Sequence, residues 1–214
     1  MTAAGRSQPC LLAGRRLAVR RGGRPVLRAV DVDLDAGELL QVTGSNGSGK
    51  TTLLRVLAGL MVPEEGSVQW AGRAVRGGDP AYQRRIAYLG HTDGVCSELD
   101  ARENLVHAHS LAAVPSDAAA IGEAMHRFGL AKLGTMPARR MSQGQRRRLA
   151  LARLALVPRR LWLLDEPLPF LDSQATDCFR EALEAHLLHG GMAVVATHQP
   201  LAITAQVLDL DRQA

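Results

Sequence analysis

The sequence predicts an α/β fold, a mainly parallel sheet with a helical insertion, on three observations. Short apolar runs of strand type, "ELLQVTG", "LWLLD" and "MAVVATH", are separated by helical patterns, and strands that alternate with helices pair in parallel. A glycine-rich turn joins the first run directly to a helix. From about residue 100 to 156 the pattern is helical throughout. A chain of 214 residues with 46% apolar content buries one sizeable core, or one core with a small appended lobe, and reads as one compact domain.

The opening third alternates β-type stretches with turn residues. In "RPVLRAVDVDLDAGELLQVTG", Val26, Val30, Val32 and Leu34 keep the strand period of two. "KTTLLRVLAGL" reads as a helix with Leu53, Leu54, Leu57 and Leu60 on one face, and residues 66–74 as a hairpin segment. Three helices follow: "ARENLVHAHSLAA", then "SDAAAIGEAMHRFGL" with Ser116 as cap and Gly129 as stop, then "MSQGQRRRLALARL". The last opens on a capping box, Ser142 with Gln145 three places on. "CFREALEAHLLHGG" supplies the helix between the two last apolar strands. There is no internal repeat.

Composition sets outer bounds. The formal charge of +5 rests almost wholly on arginine, lysine occurring only at 50 and 132; it permits anionic partners without demanding them. Cys10, Cys96 and Cys178 are too far apart for a C-x-x-C site and odd in number, which argues for a reducing compartment. Arg15 and Arg16 interrupt "CLLAGRRLAVRR" before a signal-peptide core forms. No apolar run reaches 18 residues.

The strongest chemical signal is "GSNGSGKT", Gly44, Ser45, Asn46, Gly47, Ser48, Gly49, Lys50 and Thr51, followed by Thr52. It fits G-x-x-x-x-G-K-[ST] between a strand and a helix, the pattern of a phosphate-binding loop. The glycines let successive N–H groups converge on phosphate oxygens, and the helix N-terminus adds its positive end. Lys50 reaches the β- and γ-phosphates, and Thr51 offers a hydroxyl to Mg²⁺. Glycine-rich turns also occur without ligands, but here one of only two lysines falls on the required position. "LWLLDEP" delivers Asp165 to the C-terminal end of a buried strand as a second metal contact. Glu166 is then placed to polarise an attacking water. "MAVVATH" ends on His198, which would touch the γ-phosphate and orient the same water. The other histidines, apart from His91, fall in helical patterns. The i, i+2 spacing of His107 and His109 points them to different helix faces.

The set of motifs resembles the ATP-binding subunits of ABC transporters along essentially the whole chain. "GSNGSGKT" is similar to their Walker A, "MSQGQ" to the signature, "LWLLDEP" to Walker B, "LPFLD" to the D-loop and "ATH" to the H-loop. The resemblance implies a P-loop NTPase of ABC type with an N-terminal antiparallel β subdomain. It implies a single ABC domain over 1–214, with about 1–95 and 157–214 as core and β subdomain and about 96–156 as helical subdomain. It further implies ATP and Mg²⁺ as cofactors, and a second copy that closes head to tail. Ser142, Gly144 and Gln145 would then contact ATP held by the other copy, and the arginines behind them would lie mainly on the outer face of their helix.

Departures from the general pattern narrow the branch. No aromatic residue precedes Trp70, and Arg21 in "VRRGGRPVL" takes the place of the adenine-stacking ring. His91 stands where a Q-loop glutamine is expected, and joins Thr51 and Asp165 as a candidate metal contact. "YLGHTDGVCSELDARENL", "MSQGQRRRLALARL" and "ATHQPL" look like the haem exporter ATP-binding subunit of bacterial cytochrome c maturation. This implies a peripheral ATPase at the cytoplasmic face of the inner membrane, bound to integral membrane permease subunits and driving haem export or release of a haem-loaded chaperone. His91 is not expected to bind haem, because in this family partner proteins handle it. An exporter with another cargo has the same motor. A soluble ABC ATPase acting on nucleic acid or ribosomes would need tandem domains or a long insertion, so no nucleic-acid partner is expected. A P-loop kinase leaves the signature and Glu166 without a role.

Overall fold

The computed structural model describes residues 10–115, 117–133 and 135–213. In chain order the elements are β1 (Leu12–Arg21), β2 (Arg24–Leu34), β3 (Leu39–Thr43), α1 (Lys50–Leu57), β4 (Glu65–Trp70), β5 (Arg73–Ala74), α2 (Pro80–Gln83) and β6 (Ile86–Leu89). The helical region follows with α3 (Ala101–Leu111), α4 (Ala118–Arg127) and α5 (Gln143–Leu156). The chain then returns to β7 (Leu161–Asp165), α6 (Ser173–Leu188), β8 (Met192–Ala196) and β9 (Gln206–Asp209).

The strands form two sheets. One is antiparallel in the order β2-β1-β4-β5, and the other is parallel in the order β6-β7-β8-β3-β9. Every residue of β7 and β8 is buried, as befits parallel strands covered on both faces. Period-two alternation sends Leu161 and Leu163 into a core shared with α1 and the antiparallel sheet. Trp162 and Leu164 enter a second core, filled by α3, α4, α5 and α6. The two hydrophobic cores are thus the two faces of one sheet.

Local signals behave as the sequence suggests, with two differences. Ser142 caps α5 in a reciprocal box with Gln145, as expected. The expected cap Ser116 lies outside the described residues, and the Asp117 carboxylate accepts from Ala119 N and Ala120 N at the start of α4. α1 ends at Leu57, one turn earlier than the leucine spacing suggests, so Leu60 is 58% exposed rather than on the buried face. His107 is exposed and His109 buried, as their spacing requires. Among the described residues Cys10, Cys96 and Cys178 form no disulfide. Among the described residues no helix is long and apolar enough to cross a membrane.

On the helical side of the sheet, His186 stacks on Trp162 with ring centroids 4.0 Å apart and planes 8° from parallel. Its Nε2 donates to Met192 O at 3.0 Å. Burial outweighs that hydrogen bond and pulls the imidazole pKa below its ordinary value of 6.5. The unfolded chain therefore takes up a proton that the native state resists, and this share of stability, present above that value, is lost as pH falls through the native pKa. Urea unfolding at pH 7.5 and 5.5 is expected to show a larger loss of stability for the native chain than for His186→Phe, which keeps the stack and cannot titrate. An equal loss in both would remove His186 from the acid response.

Candidate functional site

The parallel strands end together, and their ends build the site. Register pairs Asp165 of β7 with Ala196 of β8, and Val42 of β3 with the same Ala196. The glycine loop after β3, the Asp165–Glu166 turn after β7 and His198 after β8 therefore emerge at one edge. Open α/β sheets place ligands at this carboxyl edge.

The loop has the shape a phosphate needs. Gly44, Gly47 and Gly49 hold φ of 140°, 89° and 104°, values that L side chains rarely adopt. At Gly49 a Cβ would also stand 2.8 Å from Val26 O, so only glycine fits between the loop and β2. Gly49 leads directly into α1, whose first N–H groups lack carbonyl partners within the helix. Lys50 is buried and donates from Nζ to Gly44 O at 2.7 Å and Ser45 O at 3.0 Å. Ser45 itself is tied from behind: its N and Oγ donate to the Asp211 carboxylate at 2.7 and 2.9 Å.

Asn46, Gly47, Gly49, Lys50, Thr51 and Thr52 line a cavity of about 380 Å³ together with Arg21, Arg55, His91, Asp165 and Glu166. Thr51 Oγ1 donates to Asp165 Oδ2 at 2.7 Å, and His91 Nε2 lies 3.4 Å from that oxygen and 3.5 Å from the hydroxyl. Three oxygen and nitrogen donors thus meet at the start of α1, a set suited to a hard divalent cation alongside phosphate oxygens. Glu166 Oε1 lies 3.6 Å from His198 Nε2. Glu166 has φ of 47°, a left-handed conformation that costs a non-glycine residue roughly 1–3 kcal/mol. Its N–H donates to Ala196 O at 2.8 Å, which pins the turn against β8.

The expected site residues divide into two groups. Those of the glycine loop, Arg21, His91, Asp165 and Glu166 come together, with His198 against Glu166. Ser142, Gly144 and Gln145 do not line this cavity. They sit at the α5 tip, where Ser142 is exposed. Gly144 has a duty within its own chain as well: a Cβ there would stand 2.6 Å from Phe170 O, in the "LPFLD" segment.

One expectation needs correction. The arginines after the signature are expected mainly on the outer face of α5, yet Arg147 is 5% exposed. Its Nε donates to Pro167 O at 3.1 Å, and its Nη2 donates to Asp165 O at 3.2 Å and to Glu166 O. Its Nη1 donates to Gly90 O at 3.3 Å and pairs with Asp93 Oδ1 at 3.0 Å. A guanidinium can bind a turn and a loop together because its donors form a fixed fork. The run "RRR" hid this, because position 147 follows the apolar stripe of α5 that continues to Leu151 and Leu154; helical phase was the available signal. The loop after His91 is further held by Arg153, which donates to Gly94 O. Buried Asn104 adds a hydrogen bond from Cys96 N and one to Cys96 O.

Comparison with known proteins gives a consistent picture. The family model described as ABC transporter matches residues 27–169. The cytochrome c biogenesis ATP-binding export protein CcmA 2 of Cupriavidus metallidurans is 54% identical over 204 residues, covering 95% of this chain and 97% of that protein. Among solved structures, an ATP-binding subunit of an ABC transporter superposes with a TM-score of 0.79 at 27% identity, covering 88% of this chain and 79% of that one. A dimeric ATP-binding cassette in a post-hydrolysis state with ADP and phosphate superposes with a TM-score of 0.76 at 22% identity, covering 88% of each chain.

Arg147 touches the Asp165–Glu166 turn only through backbone carbonyls, so its role is positioning. Arg147→Met is expected to lower the ATPase kcat by about 10²-fold, the scale of an ångström-sized misplacement, with nucleotide affinity changed far less. Arg147→Lys should fail to rescue, because an ammonium lacks the fork. Unchanged kcat in Arg147→Met would overturn the assignment.

Proposed function

This chain belongs to the ABC transporter family and is an ABC-type ATPase, and from that premise we propose that two copies share their ATP sites to power haem export or release of a haem-loaded chaperone in cytochrome c biogenesis. The observation that carries the reading is the convergence of Thr51, His91, Asp165 and Glu166 on the cavity beside Lys50. The glycine loop and the α1 N-terminus receive the phosphates, Lys50 leaves its carbonyl partners for the β- and γ-phosphates, and Arg21 lies against the base. Mg²⁺, which would offset charge on the phosphates, fits Thr51 and Asp165, with His91 beside them. Glu166 accepts a proton from water as its oxygen bonds to the γ-phosphorus and the bond to the bridging oxygen breaks, releasing ADP. His198 orients Glu166 and the γ-phosphate.

Ser142, Gly144 and Gln145 serve the site of the second copy. Supporting this, they lie outside the cavity of their own chain, and the capped α5 tip presents a helix N-terminus to whatever anion faces it. Closure then depends on a shared triphosphate, and hydrolysis removes the bond between the halves. Residues of about 96–156 act as the helical subdomain and about 1–95 and 157–214 as the core. The 54% identical relative supports the cytochrome c branch. Integral membrane permease subunits would hold the chain at the cytoplasmic face of the bacterial inner membrane as a peripheral ATPase. No role with nucleic acid is assigned.

Glu166→Gln is expected to bind ATP normally, to lose turnover by about 10²–10⁴-fold as for removal of a general base, and to accumulate as a closed dimer in size-exclusion chromatography. Hydrolysis at the native rate would refute Glu166 as the base. Mixing Lys50→Ala with Ser142→Arg should regenerate one intact composite site and recover part of the ATPase activity. Absence of any recovery would count against sharing between copies.

A further inference from the structure

The opposite edge of the parallel sheet carries a second cavity, of about 600 Å³, unconnected with the phosphate loop. Its floor comes from the residues that lead into β6, β7 and β8, and its walls from the C-terminal parts of α5 and α6. A five-residue strand separates this edge from the nucleotide edge, roughly 15 Å at the usual rise. Five arginines line it, Arg84, Arg85, Arg127, Arg159 and Arg160, and the lining contains no aspartate or glutamate.

Ordinary structural duties do not absorb that charge. Among the described residues only Arg127 of the five has an ion-pair partner, Glu181 at 3.4 Å. Arg159 donates to Arg84 O at 2.7 Å, and Arg160 to Gly190 O at 3.5 Å. Arg85 lies 5.8 Å from the centre of the Trp70 ring. These contacts orient the guanidinium groups without neutralising them. The C-termini of α4, α5 and α6 contribute about half a negative charge each, so about two and a half positive charges remain uncompensated. A second observation is independent of charge. Trp162, only 3% exposed and part of the lining, has a buried Nε1–H without an acceptor among the described residues.

We propose that this cavity binds a small multivalent phosphate anion, gripped by the arginine forks, which match phosphate oxygens in pairs. Its surplus of positive charge suits a di- or triphosphate, and an anion oxygen near the indole would give Trp162 the acceptor it lacks. The phosphate can come from a free metabolite or from the headgroup of an anionic lipid. This assignment is independent of the nucleotide chemistry proposed above.

The test uses the full chain carrying Trp70→Phe, which leaves Trp162 as its one tryptophan, with the nucleotide site filled by a non-hydrolysable ATP analogue. Titration with tripolyphosphate should change Trp162 fluorescence saturably, and Arg84→Ala with Arg160→Ala should weaken the affinity at least tenfold while Arg139→Ala leaves it unchanged. Arg84→Gln alone, at an exposed position, should weaken it several-fold and guards against a folding defect in the double variant. In a parallel arm, cosedimentation is compared on phosphatidylcholine vesicles with and without phosphatidylglycerol. Sedimentation that needs phosphatidylglycerol and the same arginines, with no response to tripolyphosphate, would assign the phosphate to a lipid headgroup. No response in either arm, or responses indifferent to Arg84 and Arg160, would overturn the proposal.

Discussion

A strand buried on both faces can carry polar chemistry only at its ends, and this constraint organises the molecule. β7 and β8 present no exposed residue, so their middle positions are given over to the two cores. Asp165 occupies the last position of β7, where its carboxylate meets the Thr51 hydroxyl while the strand below stays apolar. A carboxylate two residues earlier would enter the core that packs on α1 and meet the desolvation cost of an unpaired buried charge. Glu166 and His198 follow from the same rule, because adjacent parallel strands of equal length finish side by side.

The ends of strands are also where backbone carbonyls lose their sheet partners, and Arg147 answers that need. Its guanidinium takes three successive carbonyls, Asp165 to Pro167, and joins them to Gly90 and Asp93. The left-handed turn at Glu166 costs energy, and these hydrogen bonds together with that to Ala196 O offset it. Since Arg147 lies on the helix that Ser142 caps, the α5 tip and the carboxylates of the Asp165–Glu166 turn rest on one rigid element. His91 lies on the loop that Arg147, Arg153 and Asn104 hold. A displacement of α5 would therefore be transmitted to the Thr51–Asp165 contact through bonded neighbours.

The cavities at the two edges of the sheet differ in how their charge is balanced. The cavity at the carboxyl edge sets Asp165 and Glu166 against Lys50, Arg21 and Arg55, a balance suited to phosphates accompanied by a cation. The cavity at the amino edge is lined by arginines without carboxylates. Helix polarity is part of the reason: α1 starts at the first edge, while α5 and α6 end at the second, so their dipoles favour cations there. What exceeds that compensation sets the second cavity apart from an ordinary helix terminus.

Much of the fold and site was legible in the sequence because it rests on local rules. The glycine spacing of 44, 47 and 49, the cap formed by Ser142 and Gln145, and the apolar runs that stop at Gly44, Asp165 and His198 each have a steric or hydrogen-bonding cause within a few residues. The sequence by itself determined the strand–loop–helix unit, the helical stretch from about 100 to 156 and the residue types at every strand end. Tertiary structure decided which of those ends meet. It placed Leu60 in solvent, set the carbonyls of Asp165, Glu166 and Pro167 against Arg147, brought His91 within 3.5 Å of Thr51, and left the signature tip outside its own chain's cavity. Those outcomes depend on contacts between residues tens of positions apart, and no local periodicity encodes a distance that only packing fixes.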